Sequence, residues 1–250
     1  MKLTDLDGVV RHGLCAGCGI CASMAGAERV DMTLTSFGQI RPHTKVPVEP
    51  ALIEKILAVC PGLHIRGPAP FAPGEAGAID PVYGPIKSLH RVWAGDEAIR
   101  FRAAAGGSLT ALGCYLLASG EVDAVLHVMA SKDRPELTEA KISRTPDEVV
   151  EGAQSRYGPA APLTHVHALL GQGLRFAVIA KPCDSPPSAT SRASIAGWKS
   201  RFPIASRSSA AAYRRFIPPT KSRPIGVWRP KPWVSFAGVA MAGRARPISK

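Results

Sequence analysis

Three cysteines stand two residues apart near the start of the chain, Cys15-Ala-Gly-Cys18-Gly-Ile-Cys21, and a fourth follows much later as Cys60-Pro61. Thiolates at that spacing can wrap one side of an iron–sulfur cube, with Gly17 and Gly19 relieving backbone crowding in so short a loop. Compact cluster-binding runs read C-x2-C-x2-C-x3-C-P. Here Met24, Ala25 and Gly26 occupy the place of the fourth cysteine, and the Cys-Pro pair appears at Cys60 instead. The pattern is that of one [4Fe-4S] centre held by Cys15, Cys18 and Cys21 and closed by a remote Cys60. Zinc sites usually pair two C-x2-C knuckles, or a knuckle with histidines. Three cysteines in one run suit zinc less well, although His12 and His64 keep it open.

The remaining candidates lie further along and need elements to carry them. Residues 122–130 (VDAVLHVMA) and 175–180 (RFAVIA) read as buried strands. Thr145-Pro146-Asp147-Glu148 opens a helix, with a capping threonine, proline at the first helical position and acids in the first turn. Residues 163–170 have helical spacing and end at Gly171. A Gly-Gly-Ser run, Gly106-Gly107-Ser108, precedes a helix over 111–119 that carries Cys114 on an apolar stretch, and Cys114 reads as core. His127 reads as a core histidine, while His165 and His167, two apart on a helix, face different sides and make poor partners for one metal.

Composition divides the chain. Its net charge is +12, yet residues 185–250 contain 13 Lys and Arg and no Asp or Glu, so the first 184 residues are close to neutral. The segment after Asp184 is rich in Ser, Arg, Pro and Ala and keeps no apolar period. Three of the four tryptophans, Trp198, Trp228 and Trp233, fall there. A natural basic tail would suit nucleic acid or an acidic partner. A reading-frame shift in a GC-rich gene accounts better for so abrupt a change directly after a strand end, and it argues against a nucleic-acid role. The N-terminus lacks an apolar signal core, and residues 109–119, the longest apolar stretch, make roughly half a membrane span. The expectation is a cytoplasmic protein with reduced thiols and no membrane span.

The order of CAGCGIC, Cys60-Pro61, Ala104-Ala-Gly106-Gly107-Ser108-Leu-Thr110, Ser155-Arg156-Tyr157-Gly158-Pro159 and Lys181-Pro182-Cys183-Asp184 resembles the coenzyme F420 hydrogenase/dehydrogenase beta subunit family over residues 10–184. The resemblance implies an iron–sulfur flavoprotein oxidoreductase. It would pass electrons between a hydride carrier such as coenzyme F420, FAD and a [4Fe-4S] cluster, beside a catalytic or electron-transfer partner subunit. It implies FAD contacts from Gly106, Gly107, Ser108, Thr110, Arg156, Tyr157 and Lys181, and makes Cys183 a candidate ligand of a further cluster. No residue stands out as a general acid or base.

The expected fold is α+β: a ferredoxin-like cluster segment over residues 1–75, closed by a Pro/Gly-rich linker at 67–74, and then an incomplete α/β flavin-binding domain. That domain would start near Tyr83, with the family's N-terminal-type region over 76–160 and the start of its C-terminal domain over 161–184. An irregular basic tail, 185–250, follows. Two other readings stay open: an electron-transfer subunit without its own substrate, and a zinc-stabilised module with a nucleic-acid-binding tail. A truncated, inactive relative is a further reading that cuts across all of these.

Overall fold

The computed structural model describes residues 4–64, 78–82, 84–86, 92–184 and, as backbone, 239–242. The linker at 67–74, Tyr83 and nearly all of the basic tail lie outside the described residues. Among those described, the architecture is mixed α and β. The order begins α1 (Leu6–Arg11), α2 (Ile20–Ala25), β1 (Val30–Leu34), β2 (Ile40–Thr44), α3 (Pro50–Val59). It continues β3 (Ala78–Asp80), β4 (Gly84–Ile86), α4 (Glu97–Arg102), α5 (Ser108–Ala118), β5 (Ala124–Ala130), β6 (Thr138–Ser143), α6 (Pro146–Glu151), α7 (Val166–Gly171), β7 (Phe176–Ile179) and β8 (Val239–Ala242). None of the described helices is long and apolar enough to cross a membrane.

The main sheet runs β6-β5-β7-β8. Strand β5 pairs antiparallel with β6 and parallel with β7, and β8 joins antiparallel to β7. The start of β7 is pinned to β5 by Arg175. Its guanidinium donates to Asp123 Oδ1 at 2.5 Å and to Oδ2 at 3.0 Å, and to the carbonyls of Gly120 and Glu121.

Strand alternation sends successive side chains to opposite faces, and here each face builds its own core. Ala124 and Leu126 of β5 and Phe176 and Val178 of β7 pack with Val166 and Leu169 of α7, together with Leu163, Cys18, Ile20 and Val59. Val125 and Ala177 face the other way, onto Leu112, Cys114 and Leu116 of α5 and Val149 of α6. A third cluster joins Leu6 and Val9 of α1, Cys21, Ala22 and Ala25 of α2, Val30, and Ile56 and Leu57 of α3.

The helices start where local chemistry satisfies their free N–H groups. Thr145 caps α6 by accepting from Glu148 N at 3.3 Å, with Pro146 in the first turn. Asp5 caps α1 through Gly8 N, and Asp96 caps α4 through Ile99 N.

The cysteine loop and the sheet share one core. Leu163 N donates to the Cys18 carbonyl at 2.9 Å, and His167 N donates to Ser23 Oγ at 2.8 Å. The cysteine segment therefore packs directly on α7 and the turn before it.

Candidate functional site

Two cavities flank the sheet, one on each face. The first is lined by Cys15, Cys18, Cys21 and Cys60, with Ile20, Ile56 and Pro42 among its apolar walls. The three-cysteine loop turns into α2 through Gly19, whose backbone is left-handed at φ 84°. A Cβ there would stand 2.6 Å from Thr164 Oγ1, so the loop is flush with the turn that leads into α7 and only glycine fits. Cys60 caps the C-terminus of α3 and brings the fourth thiol in from the other side. Its approach depends on Gly62, where a Cβ would collide with the Leu14 carbonyl oxygen just before Cys15. Gly62 is a site residue that the sequence reading missed. The signal available was the glycine itself, the residue that permits close approach of one backbone to another.

The electrostatics of this cavity are unfavourable to bare thiolates. Burial pushes the Cys18 thiol well above its ordinary value and the Cys21 thiol up to about 12, and it raises Cys60 as well. Mutual repulsion adds to it: Cys21 and Cys60 act on Cys18, and Cys15 and Cys60 act on Cys21. Four thiols share one dry site in which each anion penalises the next. Yet among the described residues no three His, Cys, Asp or Glu side chains crowd close enough around one point to grip a single ion.

The second cavity is an open cleft of about 350 Å³ on the α5 face. Its walls include Ser108, Thr110, His127, Gln154, Ser155 and Ile179. The two non-glycine residues with left-handed backbone among the described residues, Ala105 (φ 49°) and Gln154 (φ 127°), both lie on this cleft. Such conformations cost about 1–3 kcal/mol each and gather at ligand sites. Gln154 is tied across to the Arg102 carbonyl by its side-chain amide. His127 is buried, shares a 2.7 Å hydrogen bond with Ser143 Oγ, and has its pKa lowered by burial. It is held as expected of a core histidine, and it also forms part of the cleft wall, which strand periodicity alone did not reveal.

The residues singled out for a flavin divide. Ser108 and Thr110 line the cleft. Gly106 and Gly107 adjoin it but pack against Trp93 and Ile99. Tyr157 is 98 % exposed, Arg156 is exposed, and neither is in the cleft wall. Lys181 is exposed and pairs with Asp184, Nζ to Oδ2 at 3.4 Å. Cys183 is exposed and is not part of the four-cysteine cavity, whereas Cys114 is buried in the α5 core with its thiol raised to about 11 by burial.

Residues 89–167 match the family model described as coenzyme F420 hydrogenase/dehydrogenase, beta subunit N-term. Among solved structures, a chain of the F420-reducing [NiFe] hydrogenase complex from Methanosarcina barkeri matches at 23% identity and a TM-score of 0.34. The match covers 37% of this chain, which spans only 32% of that one. No curated protein matches.

Proposed function

We propose that the chain, whose residues 89–167 match the model of the coenzyme F420 hydrogenase/dehydrogenase beta subunit, is an iron–sulfur flavoprotein oxidoreductase subunit. Cys15, Cys18, Cys21 and Cys60 would bind a [4Fe-4S] cluster, FAD would occupy the cleft on the opposite face, and a deazaflavin such as coenzyme F420 would be the hydride carrier. The observation that carries this reading is the lining of one cavity by four cysteines from two distant segments.

The donor set suits such a group. Thiolates are the ligands of iron–sulfur clusters. A cationic metal core would supply the positive charge that four mutually repelling, buried thiols lack. Cys183 falls outside this set, as an exposed thiol at the end of β7.

On the cleft side, α5 starts without a side-chain cap, and Ser108 and Thr110 of its first turn line the wall. Together they would orient an anionic cofactor group. The apolar side chains of Val149 and Ile179 would exclude water from a ring placed against them. A bound flavin would supply the exchange between a two-electron hydride and a one-electron carrier.

Strand β7 is the part of the chain that serves both sites. Ile179 lines the cleft, and Ala180, one residue on, packs against the core that holds Cys18. That junction lies at the C-terminal end of a strand parallel to β5, the place where α/β sheets offer ligands.

Anaerobic reconstitution with iron and sulfide, followed by metal, sulfide and flavin analysis, tests the assignment. Iron and sulfide in equal amounts with one flavin support it; zinc alone with no visible chromophore overturns it. Cluster uptake without flavin would instead favour an electron-transfer subunit lacking its own substrate. One observation leans that way, since Tyr157 and Arg156 are exposed and outside the cleft wall.

A further inference from the structure

Two short segments edge the mouth of the cleft and meet across it. Ala104 and Ala105 line one side and Gln154 and Ser155 the other, and the Gln154 side-chain amide donates to the Arg102 carbonyl between them. Each side carries one residue with left-handed backbone, Ala105 and Gln154, so the rim is held in a costly shape. Next to the lining residues, each segment bears one aromatic ring and one arginine: Phe101-Arg102 and Arg156-Tyr157. All four are exposed, Phe101 at 92%. Helix α4, which ends in Phe101 and Arg102, has no buried residue. Its other charges are engaged locally: Asp96 accepts from Ile99 N at 3.0 Å, and Glu97 pairs with Arg100 at 3.2 Å. Among the described residues neither Arg102 nor Arg156 makes an ion pair.

We propose that this rim, and not the cleft interior, docks the hydride carrier, and that Arg102 and Arg156 select a carrier with an anionic tail. The inference rests on the flavin reading of the cleft. It gives Arg156 and Tyr157 a place on a second, outer molecule, and it adds Phe101 and Arg102, which the sequence motifs did not single out.

The chemistry follows from what the rim presents. With a flavin in the 350 Å³ interior, a second molecule reaches it from the open side. There Phe101 and Tyr157 offer uncovered rings on which an aromatic carrier can stack with an offset. Guanidinium suits phosphate and carboxylate, because its N–H donors lie in one plane and can bond two oxygens at once. Two arginines without partners, one on each side of the mouth, therefore complement a negative tail. Exposed ion pairs are weak and screened by salt. Contacts of that strength suit a carrier that must leave after each turnover, whereas a resident cofactor needs the buried wall.

Two probes that share a ring system and differ in the tail, 5-deazaflavin mononucleotide and 5-deazariboflavin, test this on the FAD-reconstituted full chain. Equilibrium dialysis gives the Kd of each probe, and bound FAD is counted separately after denaturation. The wild type should bind the phosphorylated probe about tenfold more tightly than the neutral one, with a preference that shrinks as salt rises. Arg102→Gln and Arg156→Gln should each cut that preference about threefold, the size of one exposed ion pair, with FAD content unchanged. Arg102→Lys should restore part of it, because the charge returns without the planar fork. Equal Kd values for the two probes in the wild type, or a preference that survives both substitutions, overturn the docking role while leaving the flavin assignment standing. Loss of FAD from either glutamine variant overturns it as well, since the arginine then serves the cofactor. A wild-type chain that takes up no FAD takes down the flavin reading and this inference together.

Discussion

The two cavities on either face of the sheet are built by opposite means. The cysteine cavity draws on side chains whose chemistry is diagnostic, gathered by a tight loop and one long-range approach. The cleft draws on backbone: a helix start, two residues with left-handed φ, and a wall of short hydroxyls and aliphatic groups. The first depends on Cys60 and Gly62 arriving beside Leu14 and Cys15; the second depends on loops being held in costly conformations around α5. A site made of ligand types announces itself in a sequence, whereas a site made of backbone shape does not.

The largest effect that would separate the two is expected at Gly62. Gly62→Ala sets a methyl group against the Leu14 carbonyl, so the Cys60 approach must open. We expect a stability loss of about 3 kcal/mol by denaturant titration, at the upper end for overpacking. Cluster uptake should be lost, with flavin affinity less affected. If Gly62→Ala takes up a cluster normally, Cys60 is not held as described.

Cys18→Ser comes next. It should abolish the broad visible absorbance of the reconstituted cluster while largely sparing flavin binding, since Cys18 and the cleft lie on opposite faces of the sheet. Persistence of the colour would mean that the ligand set is wrong. On the cleft side, a Cβ at Gly152 would collide with the His127 ring. Gly152→Ala is expected to cost about 1–3 kcal/mol and to weaken flavin binding while leaving cluster absorbance intact. Loss of both cofactors would show that the two sites are coupled through the sheet.

A smaller effect is expected from pH. Burial lowers the pKa of both His127 and His167 in the folded state. Below about pH 6.5 the unfolded chain therefore binds more protons, and stability falls on acidification through that value toward the folded-state values. Denaturant midpoints measured between pH 7 and pH 5 should decline. The decline should be shallower in a His127→Gln, His167→Gln double variant; an identical slope would show that other groups control it. Least of all, Tyr157→Ala should change stability by under about 0.5 kcal/mol, because the side chain is 98 % exposed. A drop in flavin affinity in that variant would nonetheless establish Tyr157 as a cover for the ring.

Much of the fold was legible from local signals. The strand over 122–130 is found as β5 and that over 175–180 as β7, because apolar runs of β-branched and aromatic residues suit a sheet buried on both faces. Thr145 and Pro146 open α6 through the cap that their chemistry implies. The helix after Gly107 starts at Ser108, three residues before the expected Ala111, because the left-handed turn at Gly106 and Gly107 leads straight into it. The helix ending at Gly171 begins at Val166 rather than 163, since the segment before it is a turn laid on Cys18 and Gly19. Residues in contact across 140 positions leave no periodic trace.

By itself the sequence determined which residues could be ligands, since thiols two residues apart and a Cys-Pro further on are statements about chemistry that no folding changes. It also determined strands β5 and β7 and the cap of α6, because those depend on side chains a few positions apart. Only the tertiary structure decided that Cys60 lines one cavity with the other three, that Cys183 does not, and that Asp184 is buried. It alone placed the cysteine loop and the cleft on opposite faces of one sheet. Those outcomes follow from long-range packing, where glycines at 19 and 62 permit approaches that any side chain would block.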